Sequence, residues 1–215
     1  MPVCFKRKIV FIHIPKTGGT SINEYFNFQK KIENFYGIID KNLELSHFSL
    51  DEIAKDLNID SFFKFSFVRN PWDRLVSKYF YYKAGCKKED VNSLKLFDKI
   101  DDFDDYILKI YENFNNIQNN YPSHLLCNHF KTQSSFITSQ NYKLDFLGKF
   151  ENFNFDLKKI GNIFNIQKSI PYLNFTNHKN YQSYYNKKTK KIVEELYEED
   201  IKNFDYKFSK KIYFL

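Results

Sequence analysis

The chain has 215 residues, of which 42% are hydrophobic and 20% aromatic, with 25 Phe and 16 Tyr against 6 Gly and 5 Pro. This composition argues against a disordered or low-complexity protein, and the length fits one domain over residues 1–215 with a substantial apolar core. The net charge of +7 favours anionic ligands without identifying them. The 3 cysteines are far apart and suggest neither a disulfide framework nor a zinc site. No run approaches the roughly 18 apolar residues of a membrane span, so we expect a soluble cytoplasmic protein.

The first element in chain order is a strand that leads through a glycine-containing turn into a helix. The apolar run from Ile9 to Ile14 predicts the strand, Pro15 and the pair Gly18-Gly19 end it, and we expect Thr20 or Ser21 to cap the helix. Backbone N–H groups of the turn and the positive end of the helix dipole favour a phosphate-like group. The side chains available to the same anion are those of Lys16, Thr17, Thr20 and Ser21. An ordinary strand-to-helix turn with a surface lysine is the alternative.

The residue order in this turn differs from the phosphate loop of nucleoside triphosphatases. A Walker A motif has its lysine after the last glycine and directly before a magnesium-binding hydroxyl, whereas Lys16 precedes Gly18 and Gly19. We therefore expect different chemistry.

An acidic cluster at residues 101–105 is explained more simply by the start of a helix than by a metal ion, and no metal is expected.

The next candidate is His47, in the stretch Leu-Ser-His-Phe-Ser-Leu. Ser49 and Glu52 have the spacing of a capping box, which places His47 in a loop just before a short helix. An imidazole in such a loop can exchange a proton near neutral pH and is a candidate general base. The alternative is a histidine that is bonded into the loop for structural reasons.

A second apolar strand, Phe62 to Val68, continues into a helix that Asn70 and Pro71 are expected to start. Arg69 ends the strand, where open α/β sheets bind ligands, and Ser77 lies about two turns along the helix. The guanidinium and the hydroxyl together predict a second phosphate site. Taken alone, Arg69 fits a structural ion pair equally well.

The rest of the chain contains weaker signals. An amphipathic helix is predicted near Phe103 to Phe114, and a short strand is predicted from Phe146 to Phe150. His124 and His129 lack an acidic third ligand in a fixed pattern, so they are assigned to an acceptor site rather than to zinc. A possible strand near residues 36–39 completes the set.

In combination, these blocks resemble the sulfotransferase superfamily, specifically the Golgi-type carbohydrate branch, which includes the uronosyl 2-O-sulfotransferases, and its soluble bacterial relatives. Ile-Pro-Lys16-Thr-Gly-Gly-Thr-Ser is similar to the loop that binds the phosphosulfate end of 3′-phosphoadenosine 5′-phosphosulfate (PAPS). The block from Arg69 to Ser77 is similar to the one that holds its 3′-phosphate. His47 matches the place of a catalytic histidine. Leu-Asn174-Phe-Thr176 resembles a later block, although Phe175 stands where the branch often has a basic residue.

The resemblance implies a single sulfotransferase domain with a P-loop NTPase-like three-layer α/β/α fold. Its central parallel sheet would hold the strands that begin near Ile9, Phe62 and Phe146 and bring Lys16 and Arg69 to one edge. The implied reaction is sulfuryl transfer from PAPS to a carbohydrate hydroxyl, with His47 as general base and Lys16 as the second catalytic residue. The implied cofactor-binding residues are Pro15, Lys16, Thr17, Gly18, Gly19, Thr20, Ser21, Arg69, Ser77, Asn174 and Thr176.

Two other functions remain open at this point. A kinase-like phosphotransferase would use a similar fold, but the chain lacks the glycine-lysine-hydroxyl order of a Walker A motif. A non-catalytic module that binds a polyanion through its basic surface would show salt-dependent binding that does not require Lys16. We expect a carbohydrate partner rather than nucleic acid.

Overall fold

The structure is a computed structural model that describes residues 3–28, 47–84, 100–120, 126–171, 173 and 178–209. The possible strand near residues 36–39 lies outside these ranges. The chain divides into two compact units, the first formed by Met1–Val68 and Ser135–Phe175 and the second by Arg69–Ser134 and Thr176–Leu215. The single domain expected from the sequence stays a prediction. None of the helices in the described ranges is long and apolar enough to cross a membrane.

The first unit contains a four-stranded sheet with the order β1-β2-β3-β4. Its strands are β1 (Val3–Cys4), β2 (Ile9–Ile12), β3 (Phe63–Val68) and β4 (Phe146–Lys149). The strands β2, β3 and β4 are parallel, whereas β1 pairs antiparallel with β2. The predicted α/β class with a central parallel sheet is therefore confirmed.

The described helices follow the strands β2, β3 and β4 in groups of two or three along the chain. They are α1 (Gly19–Phe26), α2 (Leu50–Asp56), α3 (Pro71–Lys83), α4 (Phe103–Asn119), α5 (Ser134–Ile137), α6 (Phe153–Ile163), α7 (Lys187–Leu196) and α8 (Glu198–Asn203). Short 3-10 helices occupy Leu126–Phe130, Phe150–Asn152 and Tyr181–Tyr184.

The core of the first unit explains why its strands read as continuous apolar runs. All four residues of β2 and five of the six in β3 are buried, as is typical of parallel strands that are covered on both faces. Aromatic and aliphatic side chains of α1 and α6 pack on them. The buried cluster consists of Ile9, Phe11, Ile22, Tyr25, Phe26, Phe28, Phe65, Phe67, Leu157 and Ile160.

Several predicted helix starts are confirmed. The Ser49 hydroxyl accepts a bond from the Glu52 N–H at 3.3 Å, and the Glu52 carboxylate accepts one from the Ser49 N–H at 2.7 Å, which forms the expected capping box. Asn70 caps α3 with Pro71 at its first position. Asp102 caps α4, so at least one member of the acidic cluster acts at a helix start as predicted.

The helix α3 of the second unit is buried on all sides over its first nine residues. Every residue from Pro71 to Tyr79 is buried, including Arg74 and Lys78. The Arg74 guanidinium donates to the carbonyl oxygens of His129, at 3.0 Å, and Lys131, at 2.9 Å. A buried cation is thus tolerated because backbone carbonyls of the neighbouring segment satisfy it.

Candidate functional site

The turn after β2 contains two residues in the left-handed conformation. Lys16 has φ 70° and Gly18 has φ 89°, so left-handed residues stand on either side of Thr17. Such alternation turns nearby backbone N–H groups toward a common concavity that favours an anion. The buried Thr17 hydroxyl donates to the Ile14 carbonyl at 2.8 Å. That bond stabilises the turn in which a non-glycine residue, Lys16, adopts an uncommon conformation.

The helix α1 starts earlier than the sequence predicts. Its N-cap is Gly18, in the left-handed conformation and without a side-chain cap, so the expected cap at Thr20 or Ser21 is wrong. The glycine can adopt this conformation without steric cost, which lets the helix begin at Gly19. The first amides of α1 therefore follow directly on the left-handed turn, where a helix N-terminus favours an anion.

The two predicted hydroxyls in the first turn of α1 have different surroundings. Thr20 is exposed, whereas Ser21 is buried. The Ser21 Oγ accepts a hydrogen bond from the Leu173 N–H at 3.1 Å. A serine hydroxyl keeps its own proton as a donor when its oxygen accepts a bond. Ser21 thus connects the turn to the segment that leads into the predicted late block.

His47 is half-buried and is bonded to the segment that leads into the same turn. Its Nδ1 lies 3.1 Å from the carbonyl oxygen of His13. Because a carbonyl only accepts hydrogen bonds, Nδ1 carries the proton, and in the neutral ring the lone pair lies on Nε2. The structure thus supports the tautomer that a general base needs. The alternative, a histidine bonded for structural reasons, also agrees with this contact. Nδ1 makes the structural hydrogen bond, and Nε2 is the nitrogen that would act as a base.

His13 links this histidine to the start of α1. The two imidazole rings lie 4.4 Å apart, and the His13 ring also stacks on Phe11 with 5.3 Å between the ring centroids. The His13 ring also lies directly against Gly19, where a Cβ would overlap it. Glycine is required at this position for space, because the backbone of α1 approaches an aromatic ring.

We expect Gly19→Ala to lower the free energy of unfolding by about 1–3 kcal/mol, because an added methyl group overpacks the contact with His13. The added methyl group should also displace the His13 ring from its place beside His47. Chemical denaturation measures the first effect. Glu24→Ala, at an exposed position of the same helix, is the control and should change stability by less than about 0.5 kcal/mol. Equal stability of the Gly19 variant and the wild type would contradict the packing argument.

In the second unit, Arg69 and Asp73 form a buried ion pair, with the Arg69 Nε 2.9 Å from the Asp73 Oδ2. The structural ion pair that the sequence left open is therefore present. Ser77 follows Asp73 by one helical turn on the same face of α3. The pair uses the Nε donor, and a guanidinium carries four further N–H donors on its terminal nitrogens. Phosphate recognition by Arg69 and Ser77 stays a prediction that this geometry allows.

His129 is the one of the two histidines predicted for the acceptor site that lies in the described ranges. The buried Lys78 ammonium lies 2.7 Å from its Nδ1. An ammonium only donates, so Nδ1 accepts and the ring proton of neutral His129 lies on Nε2. His129 is therefore a weaker candidate for the general base than His47, whose Nε2 carries the lone pair.

The structure does not describe the remaining predicted residues, Asn174, Thr176 and His124, and their roles stay predictions. Lys16 belongs to the first unit and Arg69 to the second, so their predicted shared edge also stays a prediction. Within the described part of the chain, no cluster of three or more His, Cys, Asp or Glu side chains could hold a metal ion. No sequence pattern indicates Gln133, whose side chain bonds to the Arg69 backbone from 64 positions away.

Comparison with known proteins places these features in a family. The sequence model of the sulfotransferase family matches residues 2–207. The chain is also 37% identical over 87 residues to carbohydrate sulfotransferase 10 of Gallus gallus, a match that covers 36% of this chain and 24% of that protein. The chain thus spans about a quarter of the length of this curated relative. No solved structure matches the chain significantly. Because the family model covers nearly all of its residues, the chain belongs to the sulfotransferase family.

Proposed function

We propose that this chain transfers a sulfuryl group from PAPS to a hydroxyl group of an oligo- or polysaccharide. Family membership supports sulfuryl transfer, and the similarity to a carbohydrate sulfotransferase supports the acceptor class. One observation carries the proposed mechanism. The loop that contains Lys16 follows directly on His13, whose carbonyl oxygen holds His47 in the tautomer of a base.

The charge of the loop supports binding of the 5′-phosphosulfate end of PAPS. The start of α1, which has no side-chain cap, supplies backbone N–H donors and the positive end of the helix dipole, and Lys16 supplies an ammonium. No acidic side chain lies in the first turn of α1. When bound, PAPS supplies a sulfuryl group attached to a phosphate leaving group. Lys16 and the backbone amides would stabilise the negative charge that develops on the leaving oxygen, which is the largest catalytic contribution in transfers of this type.

His47 would take the proton of the acceptor hydroxyl on Nε2 as the acceptor oxygen attacks. Its Nδ1–H remains bonded to the His13 carbonyl throughout, so the ring keeps its orientation. The carbonyl dipole also stabilises the imidazolium that forms. This is the role that the orienting partner of a catalytic histidine has in hydrolytic triads, although here it is a backbone oxygen.

Arg69 and Ser77 would bind the 3′-phosphate, with Asn174 and Thr176 as further cofactor contacts. The bond from Nε to the Asp73 carboxylate restrains the plane of the Arg69 guanidinium. A guanidinium held in this way can pair bidentately with a phosphate. Cofactor recognition thus uses a buried arginine whose side-chain entropy is already lost in the folded protein.

The cofactor assignment is tested by calorimetric titration with 3′-phosphoadenosine 5′-phosphate, the desulfated product, beside ATP. We expect the wild type to prefer the bisphosphate, and Arg69→Ala to weaken its binding by about 2 kcal/mol, or about 30-fold, through loss of a charge-assisted pair. Arg7→Ala, which removes an exposed arginine, is the matched control and should bind as the wild type does. Equal binding of ATP and the bisphosphate by the wild type would reject the cofactor.

The acceptor class is tested by sulfate incorporation from PAPS into desulfated polysaccharides, an aryl alcohol and a tyrosine peptide. The proposal requires the polysaccharides to be preferred. A preference for the phenolic acceptors would retain the sulfotransferase and reject the carbohydrate acceptor.

A further inference from the structure

The side-chain amide of Gln133 forms hydrogen bonds with both the N–H and the C=O of Arg69. The Arg69 N–H donates to the Gln133 Oε1 at 2.8 Å, and the Gln133 Nε2 donates to the Arg69 carbonyl at 2.8 Å. Gln133 is fully buried, and Arg69 is 7% exposed. The side-chain amide therefore imitates a neighbouring β-strand at the residue where β3 has just ended, before Asn70 starts α3.

Gln133 is itself held by a buried carboxylate. Asp200 of α8 accepts from the N–H of Gln133 at 2.7 Å and from the N–H of Ser134 at 2.8 Å. The Ser134 hydroxyl also donates to it at 2.9 Å, and Asn203 donates to that hydroxyl at 3.2 Å. Burial raises the pKa of Asp200, and these hydrogen bonds together with the charge of Arg74 counteract the shift. A carboxylate with its acceptor positions used in this way fixes the backbone at Gln133.

Hydrogen bonds hold both the backbone and the guanidinium of Arg69 in place. Asp200 fixes Gln133, Gln133 fixes the Arg69 backbone, and Asp73 restrains the Arg69 guanidinium through Nε. Positioning of a binding group to within about 0.5 Å depends on such supporting contacts. Hydrogen bonds to both the N–H and the C=O of Arg69 resist rotation about its φ and ψ. We therefore expect loss of the Gln133 amide to change the direction in which the Arg69 side chain leaves the backbone.

From this geometry we propose that Gln133 is a positioning residue for recognition of the 3′-phosphate, acting through Arg69. The inference rests on the proposed function, because it requires that Arg69 binds this phosphate. Only an amide supplies the required acceptor and donor together at this length, since a carboxylate lacks the donor and a thioether lacks both strong groups. The residue type at position 133 is thereby tied to the binding of the donor substrate.

The test compares two ligands that differ only in the 3′-phosphate, 3′-phosphoadenosine 5′-phosphate and adenosine 5′-monophosphate, by calorimetric titration. Gln133→Met keeps the volume and removes both hydrogen bonds. We expect it to bind the bisphosphate about tenfold more weakly and the monophosphate as the wild type does. Gln182→Met, at a half-buried glutamine of the same unit, is the control and should change neither affinity. A merely structural role would weaken both ligands alike or lower only the melting temperature.

A double-mutant cycle gives the second readout. In the Arg69→Ala background, Gln133→Met should cause no further loss of bisphosphate affinity, because the group it positions is gone. Additive losses would overturn the inference. If the methionine variant fails to fold, Gln133→Glu, which keeps the acceptor and loses the donor, is compared with the same two ligands and must show the same selective loss.

The outcomes separate this inference from the proposed function. If the wild type does not prefer the bisphosphate, or if Arg69→Ala does not reduce that preference, the assignment of Arg69 fails and both are rejected. If Arg69→Ala removes the preference and the Gln133 variants keep it, only the positioning role is rejected.

Discussion

Replacing Lys16 by alanine is expected to reduce the rate of sulfuryl transfer at least about 100-fold, the effect of removing one donor that stabilises developing charge in a transition state. The turn itself should persist, because its hydrogen bond runs from the Thr17 hydroxyl to the Ile14 carbonyl and does not use the lysine side chain. The rate should fall more than the affinity for 3′-phosphoadenosine 5′-phosphate, since charge on the leaving oxygen grows during the reaction. Initial rates and calorimetric titration of the same preparation measure the two quantities.

Lys8→Ala is a closely matched control for this change. Lys8 is exposed, belongs to the same unit and also has a left-handed backbone, with φ 51° against 70° for Lys16. Both substitutions remove one positive charge and leave a Cβ at a left-handed position. A selective loss in the Lys16 variant therefore reports on the loop. Near-normal transfer by Lys16→Ala would reject the proposed mechanism.

Replacing His47 by asparagine is expected to lower the rate of transfer by about 100- to 10,000-fold, the usual contribution of general acid–base catalysis. The asparagine amide retains a donor near the position of Nδ1 for the His13 carbonyl, but it has no basic nitrogen in place of Nε2. Binding of 3′-phosphoadenosine 5′-phosphate should be unchanged. The wild-type rate should also fall on acidification, because a protonated ring cannot accept the hydroxyl proton, and the residual rate of the variant should lack this step.

His178→Asn is the control that tests whether replacing any histidine bonded to a backbone carbonyl lowers the rate of transfer. The Nδ1 of His178 lies 2.8 Å from a backbone carbonyl, that of Lys179, so the change removes an imidazole with the same kind of hydrogen bond. This variant should transfer sulfate at the wild-type rate. If the His47 variant is also fully active, the base is another group, and His124 is then the first residue to replace.

The position of the predicted base could be read from local signals, whereas its chemistry could not. The capping box of Ser49 and Glu52 places His47 just before α2, and the structure confirms it. Which nitrogen carries the proton depends on the His13 carbonyl, a partner 34 positions away. Sequence periodicity contains no information about such a contact, because it arises only when β2 and the segment before α2 are brought together.

The start of α1 shows a local signal that was interpreted incorrectly. Thr20 and Ser21 are good capping residues, but a left-handed Gly18 ends the turn first and takes the cap position. The requirement for glycine at position 19 comes from the His13 ring, which no pattern of neighbouring residues reveals. Gly18 is therefore required both for its left-handed conformation and for its close contact with Phe153, whereas Gly19 is required for its contact with His13.

By itself, the sequence indicated the strands, the turns and several helix starts, because buried strands and helix caps leave short-range patterns. Its resemblance to a family implied the α/β class with a parallel sheet, which the structure confirms. Its motifs were sufficient to indicate the family that the comparison confirms. Only the tertiary structure decided the tautomer of His47, the ion pair of Arg69 with Asp73, and the support of Arg69 by Gln133 and Asp200. In each case a hydrogen bond selects one arrangement of a polar side chain. The partner in that bond is distant in the chain for His47 and for Gln133, and it is only four positions away for the ion pair of Arg69 with Asp73.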